Sequence, residues 1–187
     1  MSFAKSFGLS LVIFIGLNVV FFFIGYALID GGLDAFFTTL ETDLSVILEP
    51  LFGPLFGPIT AGTLPGANPL IPDTGMGPES ILYVVLVVSD LELGFIVLLI
   101  GYVAAPLVAA ILAGRFAENK IEALLGWFLA IMVSAVIVLS WRVYVLSDAG
   151  DPAGVIIDFA IFTTGLGVII GIFYGCFALL FTSTEYF

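Results

Sequence analysis

Apolar positions gather along the chain into four long runs, and the stretches between them have a different texture. The first run, Phe7 to Ile29 (FGLSLVIFIGLNVVFFFIGYALI), is interrupted only by Ser10, Asn18 and small residues. The others cover 94–113, 121–146 and 155–181. A bilayer core of about 30 Å needs about 20 helical residues, so each run predicts a transmembrane helix. The runs are continuous rather than alternating in segments of about ten residues, which argues against membrane-spanning strands.

Details within the runs refine this picture. Pro106 falls inside the second and predicts a kink, or a position accommodated by neighbouring helices. The third carries Trp127 near its start and Trp141 and Tyr144 near its end, a placement that predicts aromatic anchors at the two water interfaces. The first run has an apolar core longer than that of a signal peptide and no A-x-A-like cleavage site after it, so it reads as a retained span.

The segment between the first two runs changes pattern twice. From Leu33 to Glu49, apolar residues recur at Leu33, Phe36, Phe37, Leu40, Leu44, Ile47 and Leu48, while Asp34, Glu41, Ser45 and Glu49 take the opposite side. This is helical spacing, and it predicts one amphipathic helix that starts after Gly31-Gly32 and stops at Pro50. Its polar face carries acids instead of Lys and Arg, which disfavours electrostatic binding to anionic lipid. Then comes LFGPLFGPITAGTLPGANPLIPDTGMGP, Leu51 to Pro78, whose tandem LFGP is too short to be a solenoid repeat.

Pro and Gly at that density break helix and strand, yet Leu, Phe and Ile keep the stretch from being a solvated linker. Irregular backbone cannot lie bare in lipid. It must cap the bundle at the outer interface, enter it as a re-entrant loop, or dock on another subunit, and capping is the simplest expectation. Ile81 to Ser89 is short and β-branched; its direct continuation through Asp90 and Glu92 into the second run favours a helical extension over a strand.

Composition agrees with the pattern. The chain of 187 residues is 61% hydrophobic and only 10% charged, with mean hydropathy +1.28. The expected fold is therefore an all-α integral membrane protein: a single membrane domain, 1–187, built as a four-transmembrane-helix bundle with a long extracytoplasmic segment, 30–93, between helices one and two.

Charge then sets an expected orientation. Lys5 precedes the first run, and Arg115 and Lys120 lie between the second and third, so the positive-inside rule places these and both termini in the cytoplasm of a multi-pass cell-membrane protein. Nine of the fifteen acidic residues then fall in 30–93, giving an acidic outer face.

The fourth basic residue, Arg142, is the exception, because it lies inside the third run. The turn SDAGDPAG is centred near Gly150, with Arg142 and Asp158 eight residues to either side, so an antiparallel helix pair brings them to one depth. A lone charge in a membrane helix is costly, which predicts a structural ion pair rather than one link of a proton relay, since no chain of intramembrane acids accompanies it. The fourth run carries Thr163, Gly167, Gly171 and Gly175 at four-residue spacing, a stripe of small residues for close helix approach. Its partner is sought within the chain, at Gly16, Ala27 or the alanines 104, 105, 109 and 113, or on another subunit.

Reactive chemistry is sparse. Without histidine there is no imidazole ligation of haem or zinc and no His-based acid–base catalysis. The single cysteine, Cys176, lies in an apolar run and has no intrachain disulfide partner. No phosphate-binding glycine loop, nucleophile elbow or calcium loop occurs. Four basic against fifteen acidic residues oppose nucleic-acid binding.

No cofactor is expected. The sequence reads as a non-catalytic structural or accessory subunit of a membrane assembly, partnered by the lipid bilayer and by other membrane subunits or copies of itself. The alternative is a small oligomeric channel or transporter whose acidic outer face attracts cations.

Overall fold

A computed structural model of the chain describes residues 2–42, 44–55, 93–148 and 153–182. Six α-helices run through them: α1 (Ser2–Ala27), α2 (Gly32–Thr42), α3 (Leu48–Phe52), α4 (Leu93–Phe116), α5 (Lys120–Asp148) and α6 (Ala153–Leu180). Among the described residues there is no strand. Four helices contain stretches long and apolar enough to cross a membrane: Phe3–Ala27, Leu93–Phe116, Lys120–Trp141 and Ile156–Leu180, with mean hydropathies of 2.6, 2.7, 2.4 and 2.2. The protein is thus a multi-pass membrane protein whose described residues fold into helices and turns without strands.

The helix ends follow local chemistry. α1 begins at Ser2, a full turn before the apolar run, because Ala4, Lys5 and Ser6 continue the helix without being apolar enough to mark it. It stops at Ala27. Gly31, at φ 67°, then takes the left-handed conformation that the following turn requires, and its carbonyl accepts the Ala35 N–H as α2 starts. At the other sharp turn, Asn119 caps α5: its Oδ1 accepts the Glu122 N–H at 2.9 Å, while the Glu122 carboxylate accepts the Glu118 N–H at 3.4 Å. Pro106 lies within α4 and is fully buried.

The amphipathic segment differs from its expectation. In place of one helix from Leu33 to Glu49, α2 ends at Thr42, a 3-10 turn covers Leu44–Ile47, and α3 runs from Leu48 through Pro50 to Phe52. Pro50 does not end the helix because it sits in the first turn of α3, where its missing N–H would have no intrahelical acceptor. Leu33, Phe36 and Leu40 pack inward as their spacing predicts, whereas Leu44 and Ile47, beyond the break, are exposed.

The chain divides into two compact units, Met1–Leu17 with Ala104–Phe187, and Asn18–Val103. In the first, α5 and α6 lie antiparallel along one another, with the start of α1 and the end of α4 packed on them. In the second, the end of α1, the start of α4 and the segment 32–55 surround an aromatic core of Phe22, Tyr26 and Phe36 with Ile29 and Leu98. Phe22 stacks on Tyr26 at 4.2 Å, and Phe36 meets Phe22 edge-on at 5.0 Å.

Candidate functional site

Two constellations concentrate the polar and close-packed features of the chain. Within the first unit the centre is Trp127. It is wholly buried: its indole N–H donates to the Gly171 carbonyl at 3.1 Å, and its ring meets Phe14 edge-on at 6.0 Å and Tyr174 at 6.4 Å. The expected role of Trp127 as an interfacial anchor is therefore corrected. It lies seven residues into α5, about 10 Å of helical rise, and faces the helices α1 and α6 instead of water. At the other end of α5, Tyr144 is exposed, with its ring 6.0 Å from that of Trp141.

Glycines and small hydroxyls let the helices close around this tryptophan. A methyl group on Gly171 would press on Phe128 and Ile131, and one on Gly175 on Leu124. The stripe Thr163, Gly167, Gly171, Gly175 is buried, and at Gly171 and Gly175 it receives side chains of α5. A tighter approach lies elsewhere. A methyl on Gly114 of α4 would run into the backbone carbonyl of Ala178 on α6, and one on Gly126 would strike Ser6. The Ser6 hydroxyl donates to the Ala113 carbonyl at 2.9 Å, binding α1 to α4.

The sequence placed Arg142 and Asp158 together. The described α5–α6 contacts put Leu124 beside Gly175 and Ile131 beside Gly171. Asp158 is exposed, and at 3.6 residues per turn it lies about 140° to 180° around α6 from Thr163, Gly167 and Gly171. The Arg142 side chain lies outside the described residues.

The second constellation belongs to the other unit. The Asn18 amide, 4% exposed, donates through Nδ2 to the Leu51 carbonyl at 3.1 Å, and its Oδ1 is buried with no partner among the described residues. Next to it, Gly53 is pressed so closely on Tyr102 of α4 that any side chain there would strike the ring. Gly53, Pro54 and Leu55 are buried, so the first of the two LFGP units is an internal element. A void of about 10 Å³ lies between Asn18, Phe22, Gly53, Leu98, Gly101 and Tyr102.

Of the stretch Leu51 to Pro78 expected to cap the bundle, only 51–55 lie among the described residues. Asn18 is nine residues short of the end of α1, and Tyr102 nine residues past the start of α4, each about 13.5 Å along a helix that is itself long enough to span. Leu51 and Gly53 meet them there, so the segment 32–55 runs down the flanks of α1 and α4 and does not lie across their ends. In this unit the irregular backbone of 53–55 is thus walled by protein. Positions 56–92, including the second LFGP and Ile81 to Ser89, lie outside the described residues.

Sequence reasoning missed Gly114, Gly126, Ser6 and Tyr102. Their signal is pairwise, a small residue facing a neighbour's backbone, and it becomes visible only when the helix register is known. Among the described residues no three His, Cys, Asp or Glu side chains converge as metal ligands. The chain matches no protein-family model, no curated protein and no solved structure.

Proposed function

We propose that the protein is a non-catalytic structural or accessory subunit of a membrane assembly, with both termini and the Arg115–Lys120 turn on the cytoplasmic side. The observation that carries this reading is how the polar groups of the spanning helices are used. Of the buried hydroxyls in these helices, those of Ser6, Ser10 and Ser134 each donate to a backbone carbonyl, at 2.8 to 2.9 Å, as Thr182 does just past α6, so they serve helix packing and helix geometry, whereas the Thr163 hydroxyl has no partner among the described residues. The glycines at 114, 126 and 171 serve the same end.

The outward faces are apolar: Ile157, Ile161, Ile169, Ile172 and Phe173 on α6 are exposed and suit lipid tails or the helices of a partner. Orientation rests on Lys5, Arg115 and Lys120, three of the four basic residues, all exposed at helix ends.

The alternative, a small oligomeric channel or transporter, draws support from one feature, the buried amide of Asn18, half-paired among the described residues, against a segment that we read as re-entrant. Two measurements on one preparation separate the readings. Extracted in mild detergent, the protein is expected to run in a stoichiometric assembly with other membrane chains or with copies of itself, and after reconstitution into liposomes to pass no cations. A lone monomer, or cation flux through the purified protein, would overturn the proposal.

A further inference from the structure

We infer that the void beside Asn18 is a built water site, in which one ordered water donates a hydrogen bond to Asn18 Oδ1 and seats the re-entrant turn against α1 and α4. This goes beyond a packing role for the segment, because it assigns a bound species at mid-span.

The first support is the amide itself. Asn18 is 4% exposed, its Nδ2 is committed to the Leu51 carbonyl, and its Oδ1 has no partner among the described residues. Flipping the amide gives no relief, since that would set Oδ1 against the Leu51 carbonyl oxygen, two acceptors face to face. The remaining need is therefore for a donor, and inside a membrane bulk water is not there to supply it.

The second support is space. The void that Asn18 borders is about 10 Å³, close to the smallest volume that holds one water and too small for an organic ligand. Its wall also includes Gly53, Tyr102 and the rings of Phe21 and Phe22, so Asn18 is the polar side chain through which a water would be held. Two of its lining residues are glycines held in place by contact: any side chain on Gly53 would strike Tyr102, and any on Gly101 would strike Phe21. The packing that fixes the turn thus also fixes the void.

Water in such a site is revealed by X-ray hydroxyl-radical footprinting of the full-length protein in nanodiscs, because bound water generates radicals where bulk water does not reach. Phe22 and Leu98 border the void, whereas Phe14 is equally buried away from it. The expected result is oxidation of Phe22 and Leu98 at least about five-fold faster than Phe14, falling to the Phe14 rate in Asn18→Leu. Asn18→Ser, which keeps an acceptor, retains the fast labelling.

Equal rates at Phe22, Leu98 and Phe14 in the unaltered protein would overturn the assignment, and that comparison stands even if Asn18→Leu does not fold. So would fast labelling that survives in Asn18→Leu. A saturable rise in melting temperature specific to one of Na⁺, K⁺ or NH₄⁺ would also overturn it, by making the occupant a cation.

Discussion

The indole N–H of Trp127 donates to the carbonyl oxygen of Gly171 at 3.1 Å, and this bond joins α5 to α6 in the middle of the first unit. It exists because Gly171 has no side chain. The carbonyl of a helix interior is normally screened by its neighbours, and here the bare glycine surface lets Phe128 and Ile131 settle on α6 and brings the tryptophan within bonding distance.

Trp127→Phe should therefore cost about 1–2 kcal/mol, the hydrogen bond plus a small loss of packing, and Trp127→Ala about 3–5 kcal/mol, as for a large aromatic removed from a core. Reversible unfolding in detergent measures both. A Trp127→Ala loss under about 1 kcal/mol would return the residue to the interfacial role.

Close helix approach makes a graded prediction. At Gly171 an added methyl meets the rings and branches of Phe128 and Ile131, which have some freedom to shift; at Gly114 it meets the Ala178 backbone, which has none. Gly114→Ala should thus destabilise more than Gly171→Ala, the latter by about 1 kcal/mol, and Gly171→Leu by about 3 kcal/mol or more. Ile172→Ala, at the same depth but on an exposed face, should stay within about 0.5 kcal/mol. Equal melting temperatures for the four variants would deny the close packing.

The proposed ion pair is tested by a double-mutant cycle. If Arg142 and Asp158 interact, Arg142→Ala and Asp158→Ala each leave one charge alone, and the double variant recovers part of the loss. The exposure of Asp158 keeps the expected effect small, since water and lipid headgroups reach it. Coupling beyond the additivity error of about 0.5 kcal/mol supports the pair; additive losses dissolve it.

The spans were legible because apolar length alone specifies them: Leu93–Phe116 and Lys120–Asp148 differ from the expected 94–113 and 121–146 by no more than three residues at any end. Position within the bundle was not. Trp127 resembles an interfacial anchor by its distance from a helix end, and only the neighbours Phe14, Gly171 and Tyr174 reveal it as core. The amphipathic pattern predicted the inward packing of Leu33, Phe36 and Leu40, though Phe37 on the same expected face is exposed, and the break after Thr42 left no mark, because Leu44 and Ile47 continue the helical spacing while exposed.

Asn18 stood out in the sequence as a polar residue in a span. Its partner did not, since the Leu51 carbonyl is a backbone group 33 residues away, in a stretch whose Gly and Pro content suggested a surface cap. The glycine stripe was legible as spacing, whereas Gly114, isolated in AILAGRF, was not.

The crossing of the membrane and its direction are tested most directly by cysteine labelling with an impermeant thiol reagent, in a Cys176→Ser background. Asn68→Cys should react in intact cells, and Glu118→Cys only after permeabilisation. Reaction of both from the same side would contradict a membrane crossing by α4, and the reverse pattern would contradict the cytoplasmic placement of both termini.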